Sequence, residues 1–330
     1  QIVAWNSRNR KSAADNSDAE SGTGPVLIHA LDGFLGAGSA ARLAANELSS
    51  GAGQVLHEYD IDAMFDYRAR RPMIAFNEDR YVEYADPTLQ IVLEHDANGT
   101  PYLLLAGPEP DFLWERFAAE THEVIEDLGV PLSLGLGAVP MGVPHTRPPM
   151  ITAHGTRPEL VDRKNLWSAQ VTVPSSAQSL LEFRLGEWGH DAAGYVVHVP
   201  HYLAGVDYPP AALALIDALV DRTGLSIDDS GLRGRQDDAI AEIEEQIEQQ
   251  GGTEVLSGLE EQYDAFTRGA AESLLASDED LPSGDELADQ FEHELRIDAP
   301  AQARLTQVEP SNGFADDGLA HSATCRFDFG

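Results

Sequence analysis

Pro25-Val-Leu-Ile-His-Ala-Leu-Asp-Gly-Phe-Leu-Gly-Ala-Gly-Ser-Ala-Ala-Arg-Leu-Ala-Ala-Asn-Glu-Leu48 decides the fold class. Val26 to Leu31 is an apolar run broken only by His29, the pattern of a strand covered on both faces. Gly33, Gly36 and Gly38 let the next segment turn sharply. Ser39 or Asp32 is placed to cap the helix that follows and runs to Leu48. Strand, turn and helix in this order open an α/β domain. Ligands of open α/β sheets bind beyond the carboxyl ends of the strands, which makes Asp32 and Gly33 candidate ligand-binding residues. The glycines do not spell a dinucleotide site. Gly33-Phe-Leu-Gly-Ala-Gly38 lacks the G-x-G-x-x-G order, and no Lys-Ser/Thr follows as in a phosphate loop. A tight strand–helix turn and an anion-binding helix start are both compatible with it.

The alternation continues to about Thr223. Strands are expected at Val26–Leu31, Gln54–Tyr59, Leu89–Glu94, Pro101–Ala106, Pro131–Val139 and Tyr195–Val199. Helices are expected at Ser39–Leu48, Asp111–Leu128, Ala177–Trp188 and Pro209–Arg222. The last opens on Pro209-Pro210, suited to a first turn, and stops before Gly224. Such an order predicts a mostly parallel sheet between helical layers. Four segments result: a flexible arm (1–24), an α/β/α core domain (25–227), an acidic helical unit (228–297) and a C-terminal tail (298–330).

Charge sets the third segment apart. The 330 residues carry 56 acidic and 21 basic side chains, a net charge of −35. That balance repels phosphate backbones and anionic lipid, so neither nucleic acid nor a membrane is an expected partner. Asp228 to Asp298 alone holds 22 acidic and 4 basic residues. Within it Ile240, Ile243 and Ile247, then Leu256 and Leu259 with Tyr263 and Phe266, recur at helical spacing. Leu287, Phe291 and Leu295 form a third stripe. Narrow apolar seams on acidic helices suit a helical hairpin that docks on its own body or on another subunit. Ile240, Ile243, Ile247, Leu256 and Leu259 are therefore the candidate interaction residues. A solvated lid is the plainer alternative. The single cysteine, Cys325, allows no intrachain disulfide and no cysteine zinc site. No apolar run of about 18 residues is present, and the polar start lacks the apolar centre of a signal peptide. The expected location is the cytoplasm.

Four clusters fall in loops. Asp60-Ile-Asp-Ala-Met-Phe-Asp-Tyr-Arg-Ala-Arg-Arg-Pro72 mixes three carboxylates with three arginines, as an ion-paired loop or a ligand-binding rim. Ala106-Gly-Pro-Glu-Pro-Asp-Phe-Leu-Trp114 sets Glu109 at a strand end, where a carboxylate can act as a general base or can cap and pair. Gly142-Val-Pro-His-Thr-Arg-Pro-Pro149 carries His145, a proton carrier near neutral pH, and Arg147, a fork for carboxylate or phosphate. His198-Val-Pro-His-Tyr202 ends a hydrophobic strand. Its His198 and His201 match no metal motif with Asp207 or His145, and no metal or other cofactor is expected. No G-x-S-x-G elbow occurs. An enzyme built on these clusters, phosphorylase- or hydrolase-like, would use Glu109, His145 and His201 catalytically and Arg147 to hold a small anion. The clusters do not assemble into a recognisable catalytic set.

Taken in order, these clusters resemble the proteasome assembly chaperone family, in the branch named for its second chaperone subunit and closest to actinobacterial members. The resemblance is carried by Pro25-Val-Leu-Ile-His-Ala-Leu-Asp-Gly-Phe34, Asp66-Tyr-Arg-Ala-Arg-Arg-Pro72, Leu105-Ala-Gly-Pro-Glu-Pro110, Pro144-His-Thr-Arg-Pro148 and His198-Val-Pro-His-Tyr-Leu-Ala204. It spans about residues 25–297. It implies a three-layer α/β/α sandwich similar to that of purine nucleoside phosphorylases, extended here by the acidic helices. It also implies a non-enzymatic, homo-oligomeric protein, with a trimer as the expected state. Such a protein acts through protein–protein contact, with proteasome subunits or another protein complex as the partner class.

Overall fold

The computed structural model describes residues 24–163, 165, 170–250 and 252–273. All but the last residue of the expected arm, the third apolar stripe and the tail with Cys325 lie outside the described residues. The strands are β1 (Leu27–Asp32), β2 (Gln54–Glu58), β3 (Ile74–Asn77), β4 (Arg80–Tyr84), β5 (Gln90–His95), β6 (Pro101–Pro108), β7 (Ser133–Met141), β8 (Ile151–Gly155) and β9 (Ala192–Pro200). The helices are α1 (Ala40–Leu48), α2 (Ile61–Met64), α3 (Trp114–Leu128), α4 (Ala177–Glu187), α5 (Pro209–Thr223), α6 (Ser230–Gln250) and α7 (Thr253–Ser273).

Seven strands form one sheet in the order β2-β5-β6-β1-β7-β9-β8. β1 lies at its centre, parallel to β6 and β7, and β9 is parallel to β7. Only β5 and β8 run against the rest. The expected mostly parallel sheet is therefore observed. Alternate side chains of a strand face opposite ways, and both faces here are apolar. Ile28, Ala30, Leu104, Leu134 and Leu136 pack under α1 and α5. Leu27, Leu31, Leu103 and Leu105 pack under α3 and α4 on the other side. The result is helix, sheet and helix in three layers.

One local expectation fails. Gly38 and Ser39 are both left-handed (φ 62° and 52°), and the Ser39 side chain caps nothing. An N-cap serine needs extended backbone to aim its oxygen at the helix amides, and this tight turn denies it that geometry.

The acidic helices belong to the same body as the core. Leu232 and Ile243 of α6 are buried in the cluster that α1 and α5 share, and Ile247 packs against it. Arg233 pairs with Asp217 of α5, and Arg235 with Glu47 of α1. Ile240, Leu256 and Leu259 are half-buried. No helix among the described residues is long and apolar enough to cross a membrane.

Candidate functional site

Because β1, β6, β7 and β9 are parallel, their carboxyl ends meet at one edge of the sheet. Glu109 follows β6 there, and both its oxygens are engaged. One accepts the N–H of Phe34 (2.6 Å), the other the N–H of Ala177 in the first turn of α4 (2.6 Å). The carboxylate thus ties the turn after β1 to a helix start, a position that favours negative charge. Gly33 is obligatory beside it, since a Cβ there would collide with the Glu109 side chain. Arg70 completes the knot. Its guanidinium donates to the Glu109 carbonyl and to Asp111 (2.7 Å), and lies 4.5 Å over the Phe65 ring. Asp111 also accepts the N–H of Asp66 (2.6 Å). Arg70 of the first loop cluster therefore pairs with Asp111 of the second. Asp32 gives its carbonyl to the N–H of Glu109 (2.9 Å) and leaves its side chain exposed.

The loop after β7 holds the other candidates. His145 Nδ1 bonds the Tyr202 hydroxyl (2.9 Å), while its Nε2 is buried without a partner. Burial holds this imidazole below its ordinary pKa. Arg147 grips Asp264 of α7 with two bonds of 2.9 Å and reaches Glu260 at 3.3 Å. Tyr263 donates to the carbonyl of Pro148 (2.8 Å). The anions that Arg147 holds are thus carboxylates of the acidic helix. Arg147→Ala is expected to loosen α7, read as faster amide exchange from Thr253 to Arg268 with the sheet unchanged.

His201 is exposed and meets the Tyr202 ring edge-on, with centroids 5.4 Å apart. His198 pairs with Thr152 (2.9 Å) and Asp207 with Arg42 (2.6 Å). Among the described residues no group of three or more His, Cys, Asp or Glu is arranged to hold a metal ion.

Asp32, Gly33 and Glu109 thus come together, whereas His145 and Arg147 belong to a second cluster. Between the two runs the turn after β1. Leu35 bonds Ala138 through its carbonyl (2.8 Å) and packs over Gly137. Gly38 bonds the backbone of Ala204 and Tyr208 (both 2.9 Å). The chain's own turn fills the edge where an open α/β sheet would seat a ligand.

A polar row inside the α4 layer escapes the sequence analysis. His29, Gly135, Gly194 and His154 lie in register across β1, β7, β9 and β8. Glu182 of α4 sits over the two glycines, hydrogen-bonded to His154 Nε2 and 3.8 Å from His29 Nε2. A Cβ at Gly135 would lie 2.6 Å from the His29 ring, and one at Gly194 would lie 2.5 Å from that of His154. His29 is fully buried, and neither of its nitrogens has a hydrogen-bond partner. Beside the row a cavity of about 550 Å³ opens between β8 and α4, with His154, Glu182, Ser179 and Phe183 in its wall. The signal available in sequence was one histidine in an apolar strand, together with glycines inside two other strands.

Buried histidines make stability depend on pH. Burial holds His29, His145, His190 and His198 below 6.5, whereas Glu182 raises His154 against the cost of its own burial. As pH falls below 6.5, the unfolded chain gains protons that the four depressed histidines refuse, and stability drops. His154 opposes this, because its contribution is complete below 6.5 and fades as pH rises through its raised folded value. Four groups act in one direction and one in the other. The denaturant midpoint is expected to fall between pH 6.5 and 5, with a shallower fall in His29→Gln.

The sequence profile of the PAC2 family matches residues 30–250. A Mycobacterium tuberculosis protein of unknown function is similar at 42% identity and a TM-score of 0.72, over 77% of this chain and 91% of that one. A Corynebacterium glutamicum protein of unknown function is similar at 33% identity and a TM-score of 0.70, over 78% and 98%. A proteasome-assembly chaperone homologue from M. tuberculosis is similar at 26% identity and a TM-score of 0.62, over 67% and 95%. None of the curated proteins matches the chain.

Proposed function

Since the chain belongs to the PAC2 family, we propose that it is a non-enzymatic, cytoplasmic assembly chaperone. It works as a homo-oligomer through protein–protein contact, with proteasome subunits as its partners. The observation that carries this reading is the similarity to a proteasome-assembly chaperone homologue across 95% of that protein's length. The carboxyl edge supports it. In this reading the core is a phosphorylase-like sandwich whose ligand edge has become structural, with Glu109 and Gly33 bracing a turn and Arg147 holding α7. The acidic helices present Ile240, Leu256 and Leu259 half-buried beside their carboxylates, a surface suited to a basic partner.

The test is recovery of the tagged chain from its native cells at natural abundance, with co-purifying proteins identified by mass spectrometry. A proteasome subunit in stoichiometric amount is expected. Recovery of the chain with only copies of itself would overturn the chaperone reading.

A further inference from the structure

We propose that the polar row under α4 is the head of a binding site for a linear polyamine, whose chain lies in the cavity between β8 and α4. This site goes beyond the chaperone reading and does not depend on it. Three side chains converge over Gly135. A Cβ there would lie 2.2 Å from Glu182 Oε1, 2.6 Å from His29 Cε1 and 3.0 Å from Gln178 Nε2. Each of the three offers an acceptor with nothing to accept. Gln178 is 3% exposed; its Nε2 donates to the Leu136 carbonyl (3.3 Å), and its Oε1 is buried without a partner. Glu182 gives one oxygen to His154, and its Oε1 has only the 3.8 Å approach of His29 Nε2. Burial keeps the His29 imidazole neutral, so one of its two unbonded nitrogens is an acceptor. Acceptors buried together without donors are costly. A primary ammonium carries three donors and no acceptor, and it satisfies all three. A water supplies only two donors.

Glu182 belongs both to the row and to the wall of the cavity, so a head group at its Oε1 continues into that space. The volume of about 550 Å³ is in the range of small-molecule sites. Glu182, Phe183, Gly186 and Glu187 line it from one face of α4, at the spacing that stacks side chains along a helix. Gly186 lets α4 close on the end of β8, since a Cβ there would lie 2.9 Å from Thr156 Cγ2. An aliphatic chain leaving Glu182 therefore runs past Gly186 and the exposed Phe183 ring. Phe183 already takes a cation on its face, the Arg184 guanidinium at 5.7 Å. Glu187 stands farther along, about 7.5 Å from Glu182 at about 1.5 Å per helical residue. It pairs with Arg184 through one oxygen only. Two carboxylates with an apolar lining between them suit two ammonium groups joined by a short aliphatic chain. An anion would meet both carboxylates, whereas a net charge of −35 attracts a polycation.

The experiment titrates the full chain with spermidine in a calorimeter at physiological salt, which screens long-range attraction to the acidic surface. One saturable site per chain is expected. Glu182→Gln is expected to weaken it at least about tenfold, by loss of the charged acceptor. Glu187→Gln, at the exposed end of the cavity, is expected to weaken it about threefold. Butylamine has the head group and no second charge, and is expected to bind the parent and Glu187→Gln equally. Asp237→Asn removes an exposed carboxylate of α6 and is expected to bind spermidine as the parent does. If Glu182→Gln fails to fold, the comparison of the two amines on Glu187→Gln decides. A parent without saturable binding means that the row holds water only, and overturns the site. Equal weakening by Glu187→Gln and Asp237→Asn, or butylamine weakened as much as spermidine by Glu187→Gln, overturns it too.

Discussion

Glu109→Ala is expected to cost about 3 kcal/mol, because two charge-assisted bonds to backbone N–H groups are lost, each worth about 1.5–3 kcal/mol. The two losses differ in kind. Phe34 is exposed, and water can replace the carboxylate at its N–H. Ala177 is fully buried, and its N–H is left without a partner in the first turn of α4. Glu109→Gln keeps an acceptor for one N–H and is expected to cost about half as much. Gly33→Ala is expected to approach the alanine variant of Glu109, since its methyl group displaces the same side chain. Chemical denaturation of the three variants checks the order. A general base held for catalysis would give a different result, with Glu109→Gln as stable as the parent and only an activity lost.

Ile243→Asp is expected to have the larger effect, about 4 kcal/mol. Ile243 is 7% exposed and lies in the cluster shared by α1 and α5. Removing its side chain forfeits about 2–3 kcal/mol of apolar burial, and the carboxylate adds the cost of an unpaired buried charge. Relief comes by detaching α6, which limits the loss to what the docked helix contributes. Hydrogen exchange separates the two outcomes. Exchange confined to residues 230–268 means that the helix leaves a folded sheet, whereas uniform exchange means global unfolding. Ile240→Asp, at a half-buried site on the same helix, is expected to cost much less.

The sheet was legible because its strands are written as apolar runs and its turns as glycine and proline. The expected Val26–Leu31 and Pro101–Ala106 lie within one or two residues of β1 and β6. β3 and β4 were not legible. They are only four and five residues long, the Asn77–Arg80 turn contains no glycine, and a bulge beside Phe76 breaks the period of two. β8 hid for a related reason, with Thr152 and His154 turned toward the polar layer under α4. At the site, sequence singled out Glu109, Gly33, His145 and Arg147 by residue type and by their place at strand ends. It could not name their partners. Ala177 lies 68 positions from Glu109, and Asp264 lies 117 from Arg147. The polar row was further out of reach. Glu182 is an ordinary carboxylate on a helix until the register of four strands sets it over two glycines and between two histidines.

The deciding measurement is the native mass of the species formed when the purified chain meets proteasome α subunits before their ring has closed. An assembly chaperone predicts a stoichiometric complex that dissociates as the ring completes. Chain and α subunits that remain separate at every stage of ring formation would contradict it.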